Sequence, residues 1–200
     1  MRVGLLADIH EDVERLRIAL RRFECERVDQ IVVLGDVAEM NQRLDETCRL
    51  LLDAGAIGVW GNHDFGICHV AGKVEKYAEP VRRFMPSLKP RLEFDGCLFT
   101  HVEPWLDTAD LAELWYFDGI PDTPDKAARS FSAVSARLLF VGHFHRWFVA
   151  TEDAISPWHG DETLHFIPGK RYLISVGAVC DGASAILDLQ ESTLSPFCDP

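Results

Sequence analysis

The chain is predicted to be an α/β protein built on a largely parallel sheet. Three observations carry this. Short apolar runs alternate with amphipathic segments from the first residues onward. The runs have strand length and the segments have helix length. The 200 residues, 48% of them hydrophobic, suffice to bury the core such a sheet needs, in one domain spanning 1–200.

The elements follow in order. "RVGLLA" is a buried strand whose apolar run ends at Asp8. "EDVERLRIALRRFECER" places Val13, Leu16, Ala19, Leu20 and Phe23 at helical spacing. "QIVVL" is a second strand, ending at Gly35-Asp36, and "RLDETCRLLLDAG" a second helix stopped by Gly55. "AIGVW" is a third strand, ending at Gly61-Asn62. Strand, helix, strand, helix, strand at this pace means βαβ units. Residues 67–89 are expected to be helical, with Pro80 as a break or kink. "RLEF" and "CLFT", split by Asp95-Gly96, form a hairpin that ends at His101. "TPDKAARSFSAVSA" is a helix with Pro124 near its start. "RLLFV" is a strand ending at Gly142-His143. "RWFVAT", "TLHFI", "RYLISVG" and "SAILDL" supply strands of a second sheet or of the far edge of the first.

Bulk properties narrow the function. A formal charge of −12 disfavours general nucleic-acid binding, so an anionic ligand would need a local positive centre. The six cysteines form no C-x-x-C pair and read as reduced, partly buried thiols of a cytoplasmic protein. Cys68 beside His69 is a weak nucleophile–base pair, because sequence neighbours rarely meet in that geometry. No signal-peptide core and no membrane-length apolar run is visible.

The polar residues just after the strands form an ordered set. Asp8 and His10 follow the first strand and Asp36 the second. Asn62, His63 and Asp64 follow the third, His101 the hairpin, and His143 and His145 the strand after that. Five of the eight histidines fall there. In open α/β sheets ligands bind beyond the carboxyl ends of strands. Two carboxylates, one amide oxygen and four histidines give mixed oxygen and nitrogen ligation for borderline divalent metals. Seven such groups exceed one first-row ion and suit two ions sharing a carboxylate. Glycines before Asp36, Asn62 and His143 allow sharp turns and close approach.

The series Asp8-x-His10, Gly35-Asp36, Gly61-Asn62-His63-Asp64, His101 and Gly142-His143-x-His145 resembles the calcineurin-like metallophosphoesterases. "ISVGAV" is similar to the "NPGS" stretch of the small bacterial members, with Ser175 in place of the asparagine. The resemblance implies a four-layer α-β-β-α sandwich, two mixed sheets flanked by helices. It implies two divalent metal ions, with Mn or Fe favoured over Zn or Co. Asp8, His10 and His145 would hold one ion and Asn62, His101 and His143 the other, with Asp36 bridging. Hydroxide shared by the ions would attack phosphorus in line, and His63 would assist the leaving group. Glu39 or Asp64 would orient His63.

Two departures matter. Val102 follows His101 where the family often has glycine, and "GDVAEMN" lacks the arginine of the protein-phosphatase branch. The expected substrate is therefore a small phosphorylated molecule, a phosphodiester or nucleotide. A protein-binding scaffold on the same fold and a nuclease are the alternatives; retention of His63 and the acidic composition weigh against them. The aromatic stretch with Trp105, Trp115, Tyr116 and Phe117, together with Trp147, is either ordinary packing or a cap that stacks a nucleobase. Arg146, His69, His159 and His165 read as structural or surface residues. Oligomeric state is left open.

Overall fold

The computed structural model describes residues 1–199. In chain order the helices are α1 (Val13–Cys25), α2 (Leu44–Asp53), α3 (Phe65–Cys68), α4 (Glu79–Phe84), α5 (Leu111–Leu114) and α6 (Pro124–Ala133). The strands are β1 (Arg2–Leu6), β2 (Gln30–Leu34), β3 (Ile57–Val59), β4 (Leu92–Phe94), β5 (Cys97–Phe99), β6 (Leu138–Val141), β7 (Phe148–Thr151), β8 (Ile155–Ser156), β9 (Leu164–His165), β10 (Tyr172–Ser175), β11 (Ala183–Asp188) and β12 (Thr193–Cys198).

Local chemistry explains the main boundaries. The Asp12 carboxylate caps α1 by accepting the Arg15 N–H at 3.0 Å, and Glu14 in the first turn suits the helix dipole. Thr123 caps α6 and Pro124 occupies its first turn. Gly55, with φ of +64°, ends α2. Asp95 and Gly96, with φ of +49° and +76°, make the tight turn between the antiparallel strands β4 and β5.

The strands form two six-stranded mixed sheets, ordered β3-β2-β1-β11-β12-β9 and β4-β5-β6-β10-β7-β8. Among the described strands, β3-β2-β1 and β5-β6-β10 pair in parallel. The expectation of a largely parallel sheet thus holds for three strands of each sheet. The tail completes both sheets, with antiparallel pairings except where β10 runs parallel to β6. Its β11 lies beside β1 in the first sheet, and β10 and β7 continue the second.

Three apolar clusters separate four layers. Leu6, Val33 and Ile186 pack outward against Leu16 and Phe23 of α1, Leu51 of α2 and Phe84 of α4. Val3, Leu5, Val32 and Leu34 meet Phe99, Phe140, Tyr172 and Ile174 between the sheets. Leu98, Leu139 and Leu173 pack outward against Ala127 and Phe131 of α6. This is the α-β-β-α sandwich. Truncating a fully buried residue such as Leu5 to alanine would cost about 2–5 kcal/mol.

Residues 67–89 depart from expectation. Pro80 does not break a helix; it sits in the first turn of α4, where a missing N–H is harmless. Among the described residues no helix is long and apolar enough to cross a membrane.

Candidate metal centre

The parallel strands β1, β2, β3, β5 and β6 all deliver their carboxyl ends to one place. The loops beyond them bring Asp8, His10, Asp36, Asn62, His101, His143 and His145 together. Their donor atoms show two sets of short distances, which overlap at Asp36, since donors of Asp8, Asp36 and His101 also lie within 4.8 Å of one another. In one, Nε2 of His145 lies 3.2 Å from Nε2 of His10 and 3.6 Å from Oδ1 of Asp8. In the other, Oδ1 of Asn62 lies 2.8 Å from Nε2 of His101 and 3.1 Å from Nδ1 of His143. Oδ2 of Asp36 stands between them, 3.7 Å from Nε2 of His10 and 3.4 Å from Nε2 of His101.

These spacings suit metal ions. Donors about 2.1 Å from one small cation stand about 3–3.5 Å from each other. Charge argues the same way. Asp8 and Asp36 are both buried. Burial, reinforced by the Asp36 charge, pushes Asp8 up to about 7. Burial alone would lower His101, yet the Asp36 and Asp8 carboxylates hold it up at about 9. Burial, then the neighbouring His101, pushes His143 down to about 4.

The backbone is committed to this arrangement. Asp8, His10, Asp36, His143 and His145 all have positive φ, between 46° and 66°. Each such non-glycine residue costs on the order of 1 kcal/mol or more, although Asp and His tolerate the conformation best. Cross-loop bonds hold them there: the Asp8 N–H donates to the Gly35 carbonyl, and the His10 N–H to that of Asp36. Two glycines are required by contact. A Cβ on Gly61 would lie 2.1 Å from Oδ1 of Asp36, and one on Gly35, whose φ is +92°, would lie 2.6 Å from Nδ1 of His101.

Ring orientation is fixed from outside the cluster. Nδ1 of His101 donates to the Leu34 carbonyl at 2.8 Å, which leaves Nε2 pointing at Asp36. Nδ1 of His10 lies 2.8 Å from Oε2 of Glu39, and Nδ1 of His63 lies 3.2 Å from the same oxygen. Hydrogen bonds of this kind to the far ring nitrogen fix the tautomer of metal-ligating histidines.

A family model for the calcineurin-like phosphoesterase superfamily domain matches residues 1–191. The chain belongs to the calcineurin-like phosphoesterase superfamily. A metallophosphoesterase from Sphaerobacter thermophilus superposes with a TM-score of 0.80 at 24% identity, over 100% of this chain and 88% of that one. An archaeal phosphodiesterase superposes with a TM-score of 0.58 at 17% identity, over 98% of this chain and 99% of that one. The uncharacterized protein MJ0912 of Methanocaldococcus jannaschii is 26% identical over 198 residues, covering 88% of this chain and 75% of that protein. Membership makes this phosphoesterase a metal-dependent hydrolase of phosphoric esters.

Within this phosphoesterase, the two carboxylates expected near His63 have separate places. Glu39 touches the ring. Asp64 is buried, and its oxygens accept the N–H groups of Val37, Ala38 and Gly61 at 2.9–3.2 Å. It thereby staples the loop after β2 to the loop after β3. Burial and the Asp36 charge push Asp64 up against the pull of those three donors. Val102 is buried beside His101 and leaves that ring in place.

Several neighbours were not legible in the sequence. Glu11 is buried and accepts the N–H groups of Glu39, Asn41 and Arg43, so it shapes the loop that carries Glu39. Sγ of Cys180 and Oδ2 of Asp181 lie 3.8 Å and 3.7 Å from Nδ1 of His145. A short turn after β10 brings them there, and no spacing rule announces it. Cys68 is not a nucleophile of this site: burial pushes its thiol well above the ordinary range. His69 stacks on Phe65 at 4.7 Å. His69, Arg146, His159 and His165 are all exposed.

Proposed function

We propose that this phosphoesterase is a two-metal hydrolase of small phosphodiesters or nucleotides, folded as one domain. Asp8, His10 and His145 would hold one ion and Asn62, His101 and His143 the other. The observation that carries this reading is the position of the Asp36 carboxylate between the two donor groups, 3.7 Å and 3.4 Å from their nearest imidazoles. When bound, two divalent ions supply positive charge for the phosphoryl oxygens and acidify water.

The remaining work falls to the chain's own residues. His63 is only partly covered and turns Nδ1 toward Glu39. That arrangement leaves Nε2 free to give a proton to the departing oxygen. Glu39 faces Nδ1 and holds the ring in that orientation. Asp64 keeps the Asn62-His63 turn in register with Asp36, whose Oδ1 also accepts the His63 N–H at 3.0 Å.

The archaeal neighbour is described as a phosphodiesterase, which supports diesters as the first substrates to try. The test pairs metal analysis with a screen of mono- and diester hydrolysis, with and without Mn²⁺. Protein carrying two metals per chain that cleaves no ester would overturn the proposal.

A further inference from the structure

The rim between His101 and α6 carries aromatic rings that the proposed chemistry leaves unused. They divide into two sets. Trp105 is packed: its Nε1–H donates to Glu103 at 3.0 Å, Arg129 lies 4.5 Å over its ring, and Tyr116 meets it edge-on. Trp147 packs edge-on against Trp158. Trp115 and Phe117, in contrast, are 54% and 64% exposed. The Trp115 ring centre lies 5.2 Å from that of His63, and the Phe117 ring centre lies 6.1 Å from that of His143.

Exposed large rings clustered beside a polar site mark a binding surface rather than a packing remnant. These two are also held in place. Asp110 caps α5 through the Ala112 N–H at 2.8 Å, Leu114 is buried, and Asp118 pairs with Arg129 at 3.1 Å. One ring thus lies beside the candidate proton donor and the other beside a candidate metal ligand. That position fits part of the same molecule whose phosphate reaches the cluster. Two ring faces suit a planar π-system, and they are far smaller than a stable protein interface needs.

We propose that Trp115 and Phe117 form a shelf that stacks the planar ring of the substrate's ester group, a nucleobase or an aryl ring. This rests on the phosphoesterase reading and deepens it: the shelf would favour ring-bearing esters over alkyl or sugar esters.

The test uses the full chain loaded with manganese, as wild type, Trp115→Ala, Phe117→Ala and Trp115→Phe. The substrates are adenosine 5′-monophosphate, phenyl phosphate and ribose 5-phosphate, each as the monoester and as its methyl diester. The readout is the ratio of kcat/KM for ring-bearing over ring-free ester. It should fall on the order of 10-fold in each alanine variant, the loss expected for one stacking partner, and Trp115→Phe should restore most of it. The adenosine and phenyl arms show which kind of ring is preferred. Independently of turnover, saturation-transfer NMR on metal-free protein should show adenosine ring protons contacting the wild type and losing contact in Trp115→Ala. An unchanged ratio overturns the shelf. So does a wild-type dimer that Phe117→Ala dissociates, since the rings would then be an interface between copies. If the wild type cleaves no ester, the phosphoesterase reading fails, and the NMR measurement still decides the shelf.

Discussion

Nδ1 of His63 lies 3.2 Å from Oε2 of Glu39, the oxygen that also serves His10. One carboxylate therefore orients a candidate metal ligand and the candidate proton donor together. Glu39→Gln offers one acceptor oxygen and a competing NH₂ group. It should weaken metal binding about 10–100-fold and lower kcat as well, read by metal retention against a graded chelator and by steady-state rates. Wild-type values for both would remove Glu39 from the site.

His63→Ala should keep two metals and lose about 10²–10⁴-fold in kcat. Elemental analysis of the variant decides the role. Loss of an ion would make His63 a ligand, and its position beside His10 and Asp36 allows for that outcome.

Asp36→Asn should weaken both ions at once and abolish turnover, because its carboxylate faces both donor groups. A variant that lost one ion and kept the other at wild-type affinity would show that the carboxylate serves a single site.

Asp64→Asn tests structure rather than chemistry. Its NH₂ group would face at least one of the N–H donors of Val37, Ala38 and Gly61. A buried donor left unsatisfied costs about 1–3 kcal/mol. The urea midpoint should drop accordingly, and an unchanged midpoint would show that the loops after β2 and β3 need no such staple.

Metal-free protein should lose stability as pH rises from 6.5 to 9. His101, held up at about 9, binds a proton in the fold that the unfolded chain releases near 6.5, so its contribution is complete below 6.5 and gone above 9. Asp8, raised to about 7, acts in the same direction up to that pH. His143, lowered to about 4, opposes them only below 6.5. The His101 contribution alone is on the order of 3 kcal/mol. Divalent ions bind the deprotonated ligands, so the rise in thermal midpoint on adding Mn²⁺ should be larger at pH 9 than at pH 6.5. A metal-free midpoint that stays flat across this window would contradict the buried charge balance.

The βαβ half was legible because strand and helix periodicities are written locally, and strand ends place ligands without knowledge of the partner strand. The tail was not. Whether β7, β9, β10 and β11 join the first or the second sheet depends on pairing across the molecule, which no local pattern records. Pro80 was misread because the same residue stops a helix in its interior and starts one in its first turn. The conformations of Asp8, His10, Asp36, His143 and His145 were hidden for another reason: positive φ is signalled by glycine, and none of these is glycine. The sequence left Glu39 and Asp64 equal, and their different partners emerge only from the packing of three loops. For the aromatic rim, packing accounts for Trp105 and Trp147, while Trp115 and Phe117 are left exposed.

The strand β1 pairs with β11, which follows it far along the sequence, and the Cys180 N–H donates to the carbonyl of Asp8 at 3.2 Å. During synthesis, then, Asp8 leaves the ribosome long before the segment that clamps it. Nascent chains arrested ahead of β11 should capture no manganese while chains that include it do. Loading of the ions would thus wait for the synthesis of β11 rather than for the appearance of the ligands themselves.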